Sequence, residues 1–272
     1  MDHSTPHHLR PRIVFKRAKT CDQLLGCGHA RGSVLKPIVC FVGLAAGGLA
    51  FALATYALVV VAKARRETPV VIQTALSADT VTLEPADLSR RQLDELLKVE
   101  DPAFISHRGV DFKTPGAGLT TITQGLVKIF YFKDFKPGFS KFKQTLIARY
   151  AMHPLVTKQD QLKLFLNYAY LGLCNGRQVR GFTAAAKCYY NKPFNRLKED
   201  EYLALVAMLA APNTFSPVTN PQANKDRVGR IKKVISGEYV PVHHMDIYYG
   251  PLDPYTQTAL APASYFATIY KN

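Results

Sequence analysis

Acidic residues are scarce in this sequence: 20 Asp and Glu stand against 35 Lys and Arg, for a formal net charge of +15 over 272 residues. The shortage is sharpest between Lys113 and Lys158, where Asp134 is the one acid among eight basic residues. Such a stretch is either a solvated basic face or a site for an anion, and composition does not choose between them. Cysteine is scarce too. Five residues at irregular spacing do not make a disulfide framework. Cys21 and Cys27 precede a long apolar run and Cys40 lies within it, which leaves Cys174 and Cys188 as either a bridge or two small buried thiols. No repeat of solenoid length occurs. His3, His7 and His8 are too loosely placed to hold a metal, and the adjacent pair His243-His244 points apart on an extended chain.

Charge is absent altogether from Ile38 to Ala62. As a helix these residues extend about 37 Å against a hydrocarbon layer of ~30 Å, so the run predicts a membrane span with some tilt. A cleaved signal peptide has a shorter apolar region nearer the N-terminus. Here 37 residues precede the run and Lys63, Arg65 and Arg66 follow it, so it is expected to remain as an anchor. Seven Lys or Arg precede the span and three follow closely, a bias that keeps the N-terminus in the cytoplasm and the main domain outside, in the periplasm or its equivalent. Residues 1–66 carry +8, which also favours anionic lipid heads, and the stretch from Lys113 to Lys158 alone accounts for the remaining +7. An exported domain beside a bilayer meets lipid phosphate or pyrophosphate rather than nucleic acid.

The pattern divides the chain into a basic cytoplasmic tail (1–37), the span (38–62), a linker with short strands (63–84), a helical domain (85–235) and a tail rich in Tyr and Pro (236–272). The strands are expected from clustered β-branched residues, Val70, Val71, Ile72 and Val81. Pro85 opens a helix whose stripe of Leu88, Leu93, Leu96 and Leu97 delivers Glu100 at its far end. Further helices are expected over 121–132, 141–152, 160–171, 183–190 and 199–211. The one over 160–171 is the most clearly amphipathic, with Leu162, Phe165, Leu166 and Ala169 on one face. The one over 199–211 is apolar nearly all round and belongs in a core. The domain is therefore expected to be all-α. In the C-terminal tail, six tyrosines either wrap the domain or stack on sugars.

The chemistry centres on Val99-Glu100-Asp101-Pro102-Ala103-Phe104-Ile105-Ser106-His107-Arg108-Gly109-Val110-Asp111, followed by Gly118-Leu119-Thr120-Thr121-Ile122-Thr123-Gln124. A carboxylate pair ends one helix, a hydroxyl-rich turn begins the next, and Gly109, Pro115, Gly116 and Gly118 bend the chain between them. Further on come Lys158-x-Asp160-x-Leu162-x-x-Phe165-Leu166-Asn167-x-x-Tyr170-Leu171-Gly172, then Gly181-Phe182, Ala185-Ala186 and Tyr189-Tyr190, then Glu201 with Leu203 to Pro212 and Phe215-Ser216-Pro217. In this order the blocks resemble the peptidoglycan glycosyltransferases, specifically their monofunctional, lysozyme-like form, over about 85–224.

That resemblance implies a mainly α, lysozyme-like domain behind one N-terminal transmembrane helix, in a bacterial inner (plasma) membrane. It implies lipid II or a nascent glycan strand as substrate, the membrane as surroundings, and other cell-wall synthesis proteins as further partners. Glu100 matches the glutamate that deprotonates the acceptor 4-hydroxyl, which attacks the anomeric carbon of the donor as lipid pyrophosphate leaves. Asp101, His107, Thr120, Thr121, Thr123, Gln124, Lys128, Lys141, Lys143, Gln144 and Asn167 fall at or beside the family's substrate-binding blocks, with the three lysines as candidates to hold pyrophosphate; for His107 structural support is the competing role. No cofactor is assigned, and a divalent cation such as Mg²⁺ beside the pyrophosphate stays open.

The sequence departs from the family in three places. Ser140-Lys141-Phe142-Lys143-Gln144 leaves an amide where relatives have a second glutamate, and the alternative frame places Thr145 there. Thr120 and Gly125 replace the family's Ser and Gln. The segment between Asp111 and Gly118 is short, so the membrane-touching wall that relatives carry there is expected to be missing. Two readings follow: a glycosyltransferase with Glu100 as its single base, or a non-catalytic descendant that binds precursor or glycan as an envelope scaffold or regulator. Lysozyme-like cleavage with one glutamate is a third. On this length a transpeptidase domain is not expected.

Overall fold

A computed structural model describes residues 35–136 and 138–260 of the chain. The cytoplasmic tail, His3, His7, His8, Cys21, Cys27, and the last tyrosines, Tyr265 and Tyr270, lie outside the described residues. The chain divides into two units, Met1–Ala52 and Leu53–Asn272. In the first, the described residues are helical and, from Ile38 on, their side chains are exposed.

The helix α1 (Leu35–Leu76) contains a segment long and apolar enough to cross a membrane. It does not stop at the charges that follow Ala62. The short strands expected in the linker are therefore a correction: the chain stays helical to Leu76. Packing outweighs β-propensity here, because Ala64, Thr68, Ile72 and Ala75 recur at helical spacing and are buried. The Thr68 hydroxyl donates to Ala64 O at 2.6 Å and accepts from Tyr131 Oη at 2.6 Å, which satisfies a buried polar group.

Capping explains where the next helices begin. The Ser89 and Gln92 side chains reciprocally satisfy backbone N–H groups at the start of α2 (Arg90–Glu100), as do Thr121 and Gln124 at α3 (Ile122–Tyr131). The single turn Pro85–Asp87, not a longer helix, precedes α2. Helix α4 (Phe139–Ile147) runs into a π-helical segment, Ala148–Met152, and a last helical turn, His153–Leu155, so the run passes through Pro154, where the sequence predicts its end, and stops at Val156. Helix α5 (Lys158–Tyr168) ends earlier than periodicity suggests. Tyr170 and Leu171 open β1 (Tyr170–Cys174), which pairs antiparallel with β2 (Arg177–Arg180) through Asn175-Gly176 at positive φ. Cys174 and Cys188 form a disulfide that ties this hairpin to α6 (Phe182–Tyr190).

Helix α7 (Glu199–Met208) is buried from Tyr202 onward, as its apolar residues on every side demand. Helix α8 (Pro221–Ser236) packs against it and against the N-terminal side of the core through α2. Leu96, Ile122, Leu126, Ile147, Leu164, Leu166, Phe182 and Tyr202 form the fully buried centre, each worth roughly 1.5–3 kcal/mol on burial. Beyond α8 the chain turns back along residues 237–250 and enters a short helix, α9 (Pro254–Thr258).

Candidate active site

Glu100 is the last residue of α2, and the helix delivers it into a cleft of about 200 Å³ lined by Val99, residues 116–120, Leu209, Ala210, Arg227 and Ile247. Burial pushes the Glu100 carboxyl up to about 8, the neighbouring Asp101 carboxylate adds to this, and the Arg227 guanidinium opposes it. A carboxyl balanced in this way carries a proton over much of the neutral range and gives it up near pH 8, which suits a group that must accept one.

Its neighbour in sequence has another task. Asp101 is fully buried and accepts from Ile122 N–H at 2.9 Å, so it caps the N-terminus of α3 from the end of α2. It also accepts from His107 Nε2 at 2.9 and 3.0 Å, while Nδ1 accepts from Gly109 N–H at 3.0 Å. Two acceptor and donor roles thus fix the ring, and His107 is a brace between the two helix ends. Gly109 is needed for a close approach: at φ +87° an added Cβ would lie 2.4 Å from Ala148 O.

The hydroxyl and amide residues divide. Thr121 donates to Gly109 O at 2.9 Å and caps α3 together with Gln124. Thr123 donates to Gln161 Oε1 at 2.7 Å inside the core. Asn167 clamps the incoming chain, accepting from Thr82 and Leu83 N–H and donating to Leu83 O and Lys163 O. All four are spent on scaffold bonds. Thr120 alone among these candidates lines the cleft, and its hydroxyl accepts from Lys141 Nζ at 2.9 Å.

The lysines separate as well. Lys141 also donates to Leu119 O at 2.7 Å, so it holds the segment that edges the cleft. Burial lowers its ammonium to about 8, helped by the charge of Lys128, and burial lowers Lys128 likewise to about 8. Two partly desolvated ammonium groups close enough to repel one another are a place where an anion is welcome. Lys143 lies elsewhere, with its ammonium over the Phe132 ring at 5.1 Å and lining a different cavity with Tyr56, Lys63 and Phe130.

Gln144 is fully buried. Its Nε2 donates to Gln124 O at 2.6 Å and its Oε1 has no hydrogen-bond partner. A carboxylate in this place would set oxygen against oxygen. Gln144→Glu is therefore expected to lower the melting temperature, with a loss of about 1–3 kcal/mol for the broken buried hydrogen bond, and to give no gain in activity. Thermal unfolding of the two proteins at neutral pH measures the first part. Among the described residues no group of three or more His, Cys, Asp or Glu could hold a metal ion, and Gln144 adds no carboxylate ligand.

Arg227 was not singled out from the sequence. It lies on the inner face of α8 in register with Asn224, Val228, Ile231 and Val234, and a cation in an apolar stripe was the available signal. Its guanidinium stands 4.7 Å from the Tyr249 ring centroid, 5.7 Å from that of Tyr248 and 5.8 Å from that of Phe215, with Nε and Nη1 buried and without hydrogen-bond partners. Tyr249 is one of the six tail tyrosines expected either to wrap the domain or to stack on sugars, whereas nothing local in the sequence marks Ile247 as a cleft residue.

A family model described as Transglycosylase matches residues 69–236. Penicillin-binding protein 1B of Buchnera aphidicola subsp. Acyrthosiphon pisum (strain APS) is 32% identical over 139 residues, 46% of this chain and 18% of that protein. Penicillin-binding protein 1A of Neisseria flavescens is 31% identical over 147 residues, 49% of this chain and 18% of that protein. Penicillin-binding protein 1F of Bacillus subtilis (strain 168) is 30% identical over 154 residues, 52% of this chain and 21% of that protein. The chain thus spans about a fifth of the length of these curated relatives.

Proposed function

Because this chain belongs to the transglycosylase family and has the mainly α, lysozyme-like domain expected of it, we propose that it is a membrane-anchored peptidoglycan glycosyltransferase that adds the lipid-linked disaccharide of lipid II to a growing glycan strand. The observation that carries this reading is Glu100, at the end of α2 in a cleft, faced by Arg227. The Glu100 carboxylate takes the proton of the acceptor 4-hydroxyl. The freed oxygen bonds to the anomeric carbon of the donor, and the carbon–oxygen bond to pyrophosphate breaks with its electron pair on the leaving lipid pyrophosphate. A positioned base contributes roughly 10² to 10⁴ in rate.

Lys128 and Lys141 receive the pyrophosphate. Their ammonium groups are partly desolvated before any ligand arrives, so they stabilise the growing negative charge with little solvent to rearrange. Lys143, in the cavity beside α1, is not assigned to this step. The apolar helix α1 anchors the protein as a single pass in a bacterial inner (plasma) membrane, with the N-terminus cytoplasmic and the main domain periplasmic. The Cys174–Cys188 disulfide supports an oxidising location for that domain.

A second reading is favoured by one observation. Gln144 stands where the family has its second glutamate and is committed to a backbone carbonyl, which suits a non-catalytic protein that binds precursor or glycan as a scaffold. Polymerisation of labelled lipid II by the purified full chain, with lipid II binding recorded in the same samples, separates the two. Polymer is the expected result. Binding without polymer selects the scaffold, and neither overturns both.

A further inference from the structure

The chain beyond α8 lies outside the family match, yet it forms part of the cleft. Its residues 239–250 make a strap organised around Asp246, whose carboxylate accepts from Tyr239 Oη at 2.7 Å, Val242 N–H at 3.2 Å and Gly250 N–H at 3.1 Å. Burial works against the Asp246 charge, but these hydrogen bonds outweigh it and hold the carboxyl below the usual aspartate range.

The strap is bonded to the segment that edges the cleft. Gly116 N–H donates to His243 O at 3.0 Å and Gly118 N–H to His244 O at 2.9 Å, while His244 Nδ1 donates to Thr114 O at 3.1 Å. The two glycines answer to the strap. Both have positive φ, and a Cβ would come within 3.0 Å of Pro241 at Gly116 and 2.9 Å of Ile247 Cγ2 at Gly118. The short stretch after Asp111 is therefore covered.

Two strap residues reach the reacting end. Ile247 lines the cleft with Glu100 and Arg227. The Tyr249 hydroxyl donates to Val99 O at 3.0 Å, one of the last carbonyls of α2, which a helix leaves without an internal partner. Val99 immediately precedes Glu100. The Tyr249 ring also packs on the Arg227 guanidinium, the charge that faces Glu100. Tyr249 does this at φ +58°, a backbone conformation that bulky residues adopt only where their surroundings impose it.

Resting on the glycosyltransferase reading of the cleft, we propose that residues 239–250 are an integral wall of the active site and that Tyr249 is a positioning residue, which fixes the end of α2 and the Arg227 guanidinium so that Glu100 points at the acceptor. The base and the cation that tunes it are thus oriented by a segment supplied from outside the family domain. Relatives that lack the strap need another means of holding these groups.

The test compares the full chain with Tyr249→Phe and Asp246→Ala in nanodiscs. Tyr249→Phe keeps the ring and removes the bond to Val99 O; kcat for lipid II polymerisation is expected to fall about 3- to 10-fold with KM within 2-fold. Asp246→Ala loosens the whole strap and admits water, so the Glu100 midpoint, read by carbon-13 NMR of labelled glutamate and assigned with Glu100→Gln, is expected to fall from about 8 toward an ordinary glutamate. Unchanged kcat in Tyr249→Phe together with an unchanged Glu100 midpoint in Asp246→Ala overturns the proposal, even where both variants are less stable. If the native chain makes no polymer, the glycosyltransferase reading fails by itself, and the NMR midpoint still decides whether the strap governs Glu100.

Discussion

Glu100→Gln is expected to reduce lipid II polymerisation by about 10²- to 10⁴-fold while raising the melting temperature. The first effect is the loss of the one carboxylate among the described residues that line the cleft; an amide cannot take the acceptor proton. The second follows from linkage. The folded protein keeps the Glu100 proton up to about pH 8, whereas an unfolded chain releases it near ~4.3. Between those values the native state binds more protons than the unfolded one, so native stability falls as pH rises. Glutamine stays neutral and escapes that loss. The melting-temperature gain is expected to be small at pH 5 and to grow toward pH 8, reaching several degrees at ~2–4 °C per kcal/mol for a domain of this size. Scanning calorimetry of both proteins at the two pH values reads it. A variant that is both inactive and less stable at pH 8 would contradict the buried-base account.

Arg227→Met is expected to move the pH–rate profile. In the native protein Arg227 opposes the burial that keeps Glu100 protonated, so its removal leaves the carboxyl protonated to higher pH and shifts the rising limb of kcat/KM to the alkaline side. The falling limb belongs to Lys128 and Lys141, which lose their charge near 8 in the free protein. The native profile is therefore expected to be a narrow bell with its maximum near pH 8. Methionine fills similar volume among Phe215, Tyr248 and Tyr249 without charge. With the base limb moved past the lysine limb, the bell flattens, and the rate at neutral pH is expected to drop by roughly 10²-fold, the scale for losing one preorganised charge-stabilising group. Arg227→Lys restores a cation and should bring the rising limb part of the way back. Identical profiles for the native and Met proteins would remove Arg227 from the site.

The sequence and the structure agree best where the signal is local. The helix expected over 121–132 is there, opened by Thr121 with Gln124 as a capping box, whereas the helix expected from Pro85 starts only at Arg90, behind the Ser89–Gln92 box. The all-round apolar stretch before Pro212 is a buried helix because no face of it can meet water at low cost. Disagreement begins where contacts between distant segments outweigh local preference. The β-branched run after Glu67 is helical, since Thr68, Ile72 and Ala75 find partners only in that form. The end of the 160–171 helix is instead a strand, because Asn175-Gly176 turns the chain and pairs Tyr170 with Arg180.

The polar residues of the motifs carry the same lesson. Asp101, His107, Thr121, Gln124 and Asn167 read as one binding set, yet each has bonds that join one backbone segment to another. A motif is a string, and a string does not say which of its side chains face a cleft and which brace its walls. Burial and bonding partners make that distinction.

By itself, the sequence determined the apolar anchor-like helix, the helical class of the domain, its family and the position of Glu100 at a helix end, because periodicity, capping and motif spacing act over a few residues at a time. The tertiary structure alone decided what surrounds Glu100: Arg227 from α8, Lys141 tethering the Thr120 edge, and Tyr249 bonded to Val99 across 150 residues of chain. These groups take their energies from desolvation and from long-range contacts, quantities that exist only once the segments have been brought together.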